Sequence, residues 1–254
     1  MSIFKTDLFV GKTFLITGSS SGIGQGTAKL LSECGARVVL TGRNEERLKE
    51  TLAQLSGNEH IVSPSQFSDA DQTFDWLKST LASTGPLDGV FHSAGIELIR
   101  PVRMIKQAQL NEVLGSSLFA AFGLARGLSQ KNSLVDGGSI VMMSSVAGSS
   151  GQMGLTAYSA AKSSIDGLVR SLSCELAPRK IRVNSIAAGA VNTAMHARLT
   201  AGNGDNATAV YEQSHLLGFG EVDDVAQAAL YLLSPASRWI TGTKMVVDGG
   251  YLVR

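Results

Sequence analysis

The stretch Thr156–Lys162 reads TAYSAAK and places Tyr158 four residues before Lys162. On a helix that spacing is one turn, so both side chains lie on one face. A free phenol, with a pKa of about 10, is a poor acid–base group at neutral pH, and a neighbouring cation favours its ionised form. Alone, the pair reads two ways: a proton donor with its electrostatic tuner, or two polar residues on a solvated helix. Short patterns of this kind recur by chance. Two other stretches bear on the choice.

The first is TGSSSGIG, from Thr17 to Gly24, which follows a short apolar run and opens a helical pattern. Gly18, Gly22 and Gly24 let the backbone turn sharply and approach a phosphate. The helix start behind them offers free N–H groups and the positive end of a dipole. The spacing is G-x-x-x-G-x-G, not the G-x-G-x-x-G of the usual dinucleotide fingerprint. Gly26, one turn further, permits close packing of that helix on a sheet. The second stretch is TGRN, Thr41 to Asn44. An NAD site carries a carboxylate there for the ribose hydroxyls. This chain has Gly42 and then Arg43, and an arginine can clamp a 2′-phosphate with two hydrogen bonds. The plainer alternative is an Arg43 that opens the next helix in solvent.

These residues need a scaffold, and short β-branched runs alternating with longer helical patterns supply one. TFLIT, RVVLT, HIVSP, GVFHS, SIVMMS, RVNSIA and KMVVD read as strands starting at residues 13, 37, 60, 89, 139, 182 and 244. Helical patterns fall between them, including a long one from Gln107 to Leu128 and another from Ala157 to Leu176. Continuously apolar strands alternating with helices imply a parallel sheet covered on both faces. The expectation is α/β: one domain over 1–254, a Rossmann-type doubly wound sheet of about seven strands. The segment Asn192 to Gly220 is long for a strand-to-helix connection and contains TAGNGDNAT, which reads as a substrate lid.

Composition excludes several other classes. Hydrophobic residues make up 44% and charged residues 17%, the mixture of a folded chain. A net charge of +1 favours neither nucleic acid nor an anionic membrane. No apolar run approaches the length of a membrane span, and MSIFKTDLFVGK holds none long enough for a signal peptide. Cys34 and Cys174 have no metal spacing, no His/Cys/Asp/Glu cluster does, and the expectation is reduced thiols in a cytoplasmic protein.

The ordered set TGSSSGIG, HSAG (92–95), MSSVAG (143–148), YSAAK (158–162), VNSIAAGAVNT (183–193) and VVDGG (246–250) resembles the short-chain dehydrogenase/reductase family over nearly the whole chain. The nearest broad template is its 3-oxoacyl thioester reductases. The resemblance implies an oxidoreductase that interconverts a ketone and a secondary alcohol. Tyr158 becomes the general acid, Lys162 the residue that bonds the nicotinamide ribose and lowers the tyrosine pKa, and Ser145 the serine that orients the substrate oxygen. Ser144 is the neighbouring alternative, and strand alternation sends the two side chains to opposite faces. The cofactor, NADP(H) with NAD(H) as the lesser alternative, is expected along Gly18, Ser20, Ser21, Gly22, Ile23, Gly24 and Arg43. It continues past Gln66 and Phe67, Ser93, Ala94 and Gly95, then Gly189, Val191 and Thr193, with Tyr158 and Lys162 at its reacting end. Thr193 could instead cap a helix. Partners implied are a small carbonyl or alcohol substrate and further copies of the chain, as homotetramer or homodimer.

Four departures from the family pattern stand out. Ser93 replaces the usual asparagine after the fourth strand, and Ala188 the usual proline before Gly189. After the third strand, Gln66, before Phe67, is the nearest match to a family aspartate that often contacts the adenine. Ser117, in SLFAAF, stands where many members carry an asparagine that holds a relay water, and a hydroxyl cannot copy both amide groups. That last departure supports a competing class, a cofactor-binding protein without turnover. His92, at the tip of the fourth strand, reads as packed rather than catalytic, and His196 and His215 as residues flanking the lid.

Overall fold

Residues Phe14 and Ile16 point to one side of a strand and Leu15 to the other, yet all three are fully buried. That strand, β1 (Thr13–Thr17), pairs in parallel with β2 (Arg37–Thr41) and β4 (Leu87–His92). The computed structural model describes residues 4–195 and 205–254. It carries a seven-stranded, all-parallel sheet in the order β3-β2-β1-β4-β5-β6-β7. The remaining strands are β3 (Ile61–Val62), β5 (Leu134–Met143), β6 (Arg182–Ala188) and β7 (Lys244–Val247). The chain runs outward from β1 to β3, returns to β4 and runs the other way, so the direction reverses between β1 and β4.

Two cores flank the sheet. On one side Phe14, Ile16, Val38, Phe91 and Ile186 pack under α1 (Gly22–Glu33) and α8 (Val222–Leu233). On the other, Leu15, Val39, Val90, Ile140 and Met142 pack under α5 (Ala120–Leu128) and α6 (Thr156–Leu176), with Leu77 of α3 (Ala70–Thr84). The doubly wound expectation holds. Gly26 serves a different contact from the one expected. A Cβ there would lie 2.3 Å from Val222 Cγ1, so it lets α1 cross α8 closely instead of meeting the sheet.

Two elements differ from the sequence reading. The helix expected over Gln107 to Leu128 is α4 (Gln107–Leu114), then a π-helical turn at Gly115–Phe119, then α5. A π-turn inserts one extra residue into the helical ladder and re-aims what lies beyond it. Gly115 makes room for it, since a Cβ there would sit 2.6 Å from the Ser68 carbonyl. The second difference is α7 (Asp205–Gln213), inside the segment read as an irregular lid. Its polar sequence gives little apolar periodicity, and it is held from outside: Arg254 donates to the Gln213 carbonyl, and Tyr211 packs edge-on to His215. Residues 196–204 of that segment, with His196, lie outside the described residues. Among the described residues no helix is long and apolar enough to cross a membrane, and no group of three His, Cys, Asp or Glu could hold a metal ion.

Candidate active site

A cavity of about 760 Å³ opens at the C-terminal ends of the strands, over the point where the chain reverses between β1 and β4. Ligands of open α/β sheets bind there. Its first end is made of backbone. Gly18 has φ +67°, and a Cβ on it would lie 2.9 Å from the Ala94 amide nitrogen. Gly24 sits inside that turn, where a Cβ would come within 2.4 Å of the Gly18 carbonyl. Gly18, Ser20, Ser21, Gly22 and Ile23 line the cavity, while Gly24 packs behind them. The N-cap of α1, Ser21, makes no side-chain cap bond, and the first turn holds no acidic residue. The helix start is therefore a positive, donor-rich surface of the cavity.

Gly42 and Arg43 line the next part of the wall, joined by Arg47 in the first turn of α2 (Glu45–Leu52). Asn44 fixes that turn by accepting from the Arg47 amide at 2.9 Å. Gln66 does not join them. It is exposed and outside the cavity, whereas Ser65 and Phe67 on either side of it line the wall. Phe67 is buried edge-on against Trp76, and turning that ring inward sends the residue before it outward. Ser93, Ala94 and Gly95 line the floor, as do Gly189, Val191 and Thr193 opposite. The Ala188-Gly189 pair keeps the turn tight without proline, because a Cβ on Gly189 would lie 2.9 Å from Asp248 Cα.

Tyr158, Lys162 and two serines stand in the middle. Tyr158 and Lys162 occupy the first turns of α6, and the Lys162 ammonium lies 5.7 Å from the centre of the tyrosine ring. It donates to the Met143 carbonyl at 2.9 Å. Ser144 is buried, and its hydroxyl donates to the Lys162 carbonyl at 3.2 Å, which ties β5 to α6. Ser145 points the other way: its hydroxyl accepts from the Ala147 amide at 3.1 Å and reaches the Tyr158 phenol. Burial raises the Tyr158 pKa, with the Glu97 carboxylate adding to the shift and the Ser145 hydrogen bond opposing it. Burial lowers Lys162 to about 8, against the pull of Glu97 and Asp166. In this state the phenol thus sits above its ordinary value, because enclosure and a carboxylate outweigh the groups that stabilise its anion.

His92 and Ser117 stand behind the cavity. Thr17 Oγ1 accepts from the Ser93 and Ala94 amides at 3.1 and 3.0 Å, so its own proton goes to His92 Nδ1, 2.8 Å away. That assigns the Nε2–H tautomer, and Nε2 donates to the Ser117 carbonyl at 3.2 Å. The π-turn is thereby stitched to the tips of β1 and β4. The ring is 1% exposed, and its pKa is lowered to about 4 by burial and by the Lys162 charge. The Ser117 hydroxyl is buried and has no partner among the described residues. It does not line the cavity.

The far end is built from side chains that carry no motif. Glu97 follows the floor turn, Gln152 precedes α6, and Tyr211 comes from α7. Gln152 donates to the Tyr251 hydroxyl at 2.6 Å. His215 is 3% exposed; its Nε2 accepts from the Ala190 amide at 3.1 Å, which leaves Nδ1 to donate to the Tyr211 carbonyl at 3.1 Å. It therefore pins α7 to the end of β6. Sequence reading overlooked Glu97, Gln152, Tyr211 and Arg47. Only Arg47, four residues after Arg43 at a helix start, had a spacing that could have pointed to it.

Residues 18–252 match a family model described as enoyl-(acyl carrier protein) reductase, one of the short-chain dehydrogenase models. The chain belongs to the short-chain dehydrogenase/reductase family. It is an oxidoreductase of that family. It is 34% identical over 247 residues to the 3-oxoacyl-(acyl-carrier-protein) reductase FabG of Chlamydia muridarum, covering 96% of this chain and 98% of that one. Carbonyl reductase family member 4 of Danio rerio is 36% identical over 240 residues, covering 93% and 96%. Among solved structures, a blue fluorescent protein from a metagenomic library in complex with NADPH superposes with a TM-score of 0.85 at 27% identity, covering 95% and 98%.

Proposed function

We propose that the protein is an NADP(H)-dependent reductase of a ketone, or the dehydrogenase of the corresponding secondary alcohol. The observation that carries the reading is the placement of Ser145, Tyr158 and Lys162 on one cavity with the glycine turn and the Arg43–Arg47 pair. These residues fit the cofactor. Gly18, Gly22 and the uncapped start of α1 form a cradle for a pyrophosphate. Arg43 and Arg47 suit a 2′-phosphate, with no carboxylate at position 42 to repel it. With the cofactor bound, the hydride would come from, or return to, its nicotinamide. Ser145 holds the substrate oxygen, Tyr158 gives that oxygen its proton on reduction, and the Lys162 ammonium holds the ribose. A phenol whose pKa is raised stays protonated at neutral pH, which is the state a donor needs.

NADPH oxidation followed with a panel of ketones tests this. Turnover with NADPH well above NADH supports the reading, and turnover with NADH alone would replace it with an NAD-linked dehydrogenase. The Ser117 orphan favours a second reading, a cofactor-binding member without turnover. Tight NADPH binding with no ketone reduced would establish that one. We also propose self-association, as homotetramer or homodimer. Phe119 and Phe122 are exposed on adjacent turns of the π-turn and α5, and Trp239 and Val253 are exposed towards the C-terminus. Sedimentation of the protein at micromolar concentration tests it.

A further inference from the structure

Behind the cavity wall one ring ties together two parts that line it. Tyr211 reaches the cavity from α7, and Ala190 from just beyond the end of β6. His215 is buried between them. Its Nε2 lies 3.1 Å from the Ala190 amide nitrogen and its Nδ1 3.1 Å from the Tyr211 carbonyl oxygen. A main-chain amide only donates and a carbonyl only accepts, so both bonds form together only on a neutral ring with its proton on Nδ1. A second proton has no acceptor: Nε2–H would face the Ala190 N–H, donor against donor. The Ser214 hydroxyl stands 3.4 Å from Nδ1, on the wrong side of the ring to take that proton.

The rings of Tyr211, Phe219 and Tyr251 enclose the imidazole, with centres 5.2, 5.4 and 4.8 Å away. Among the described residues no carboxylate bonds the ring, so none holds an imidazolium in place. The titratable and charged groups around it come from two elements. From α7 come the Tyr211 phenol and Glu212, the latter beside Gly218. From the C-terminal turn come the Tyr251 phenol, Asp248 and Arg254. The Asp248 carboxylate accepts from the Gly250 and Leu252 amides at 2.8 Å each, and Arg254 donates to the Gln213 carbonyl. The end of β6, Ala188 to Val191, contributes none.

We propose that His215 is a positioning residue: neutral, it holds α7 against the end of β6 as a wall of the cavity, and protonated, it lets α7 go. The far wall of the site is then governed by pH through a ring that does not line the cavity. Histidine suits such a latch, because its charge ordinarily changes between pH 5 and 8. The proposal goes beyond the reductase reading and holds whether or not the cavity reduces a ketone.

Hydrogen exchange of the α7 amides at pH 8 and pH 5.5 tests it, with rates corrected for the intrinsic effect of pH. Strand β5 in the same samples reports any global unfolding. In the wild type, α7 protection should fall about tenfold or more on acidification while β5 stays protected, the size expected when a buried amide loses its acceptor. His215→Ala should leave α7 weakly protected at both pH values. His215→Gln puts an amide oxygen about where Nε2 stands and does not titrate, so it should keep α7 protected at both. This rescue together with a flat pH response is what a merely space-filling role would not give. Equal α7 protection at the two pH values in the wild type overturns the proposal. So does a fall on acidification that keeps its size in His215→Ala. Neither result needs turnover, so neither touches the reductase reading.

Discussion

The two ends of the cavity are built from different materials. At the glycine-turn end the surface is main chain: the Gly18 turn lies against the Ala94 amide, and the first turn of α1 shows its N–H groups. At the far end it is side chain: Glu97, Gln152 and Tyr211 arrive from three separated parts of the sequence. A main-chain surface constrains the residues that make it, because only glycine tolerates a backbone contact of 2.4 Å at the position of a Cβ, as Gly24 does. A side-chain surface constrains nothing in its neighbours. The first end therefore leaves a readable pattern in the sequence and the second leaves none, although both are equally part of the site.

Tyr158 stands where the ends meet, so its loss should separate them most sharply. Tyr158→Phe keeps the ring and its packing in α6 and removes the proposed proton donor. Turnover should fall by about 10²- to 10⁴-fold, while NADPH affinity stays close to the wild-type value. Steady-state kinetics and a fluorescence titration of NADPH check both halves. An equal loss in affinity would mean that the phenol belongs to the cofactor end.

Arg43 should show the next largest effect, confined to the first end. Replacing it with alanine removes the proposed charge-assisted contact to a phosphate, worth on the order of 1.5–3 kcal/mol. NADPH should then weaken far more than NADH. Arg47 stands on the same wall and lessens the loss if both clamp the phosphate, so the double variant should exceed either single one. Matched losses for NADPH and NADH would remove the phosphate-clamp reading.

How much of this the sequence disclosed follows from the same contrast. Parallel strands buried on both faces read as unbroken apolar runs, so RVVLT and TFLIT coincide with β2 and β1 residue for residue. Tyr158 and Lys162 share a face because a helix fixes their spacing, but that spacing alone reads two ways, and the proposed roles come from the ordered family motifs around it. The π-turn at Gly115–Phe119 was not legible, because its apolar residues fit an uninterrupted helix equally well and its cause, the Ser68 backbone, is distant in sequence. α7 was hidden for a similar reason: what holds it is the C-terminal Arg254 and the His215 ring, not a stripe of its own. Gln66 was misplaced by one residue, since no pattern tells which side of a short irregular stretch turns inward.

His92 joins the two ends from beneath, and it makes the fold sensitive to acid. Its folded pKa is about 4 against an ordinary 6.5, so between those values the unfolded chain binds more protons than the folded one. Stability contributed by the neutral ring is complete above pH 6.5 and is lost as the pH falls toward 4. His92→Asn removes the titrating group and keeps an amide that can donate to the Ser117 carbonyl. The drop in urea midpoint between neutral pH and pH 5 should be smaller in that variant than in the wild type. Parallel descents would show that other groups govern the acid limb.

Ser117 should give the smallest change, and the one that bears most on whether the site turns over. Its carbonyl is held by His92, and its hydroxyl lies buried with no partner among the described residues. The backbone at this point is fixed by the π-turn and by His92, so the side chain has little part in shaping it. Ser117→Asn replaces the unsatisfied hydroxyl with a larger amide, which can both donate and accept. If proton supply does not depend on the side chain at 117, turnover should stay within a few-fold of the wild type, a shift of about 1 kcal/mol or less in the barrier. If the missing amide limits proton supply, turnover should rise by tenfold or more, with KM for the ketone unchanged. A fall in stability without either change would mean that the pocket around Ser117 is packed for a hydroxyl, and that the serine belongs to the core beneath the site and not to its chemistry.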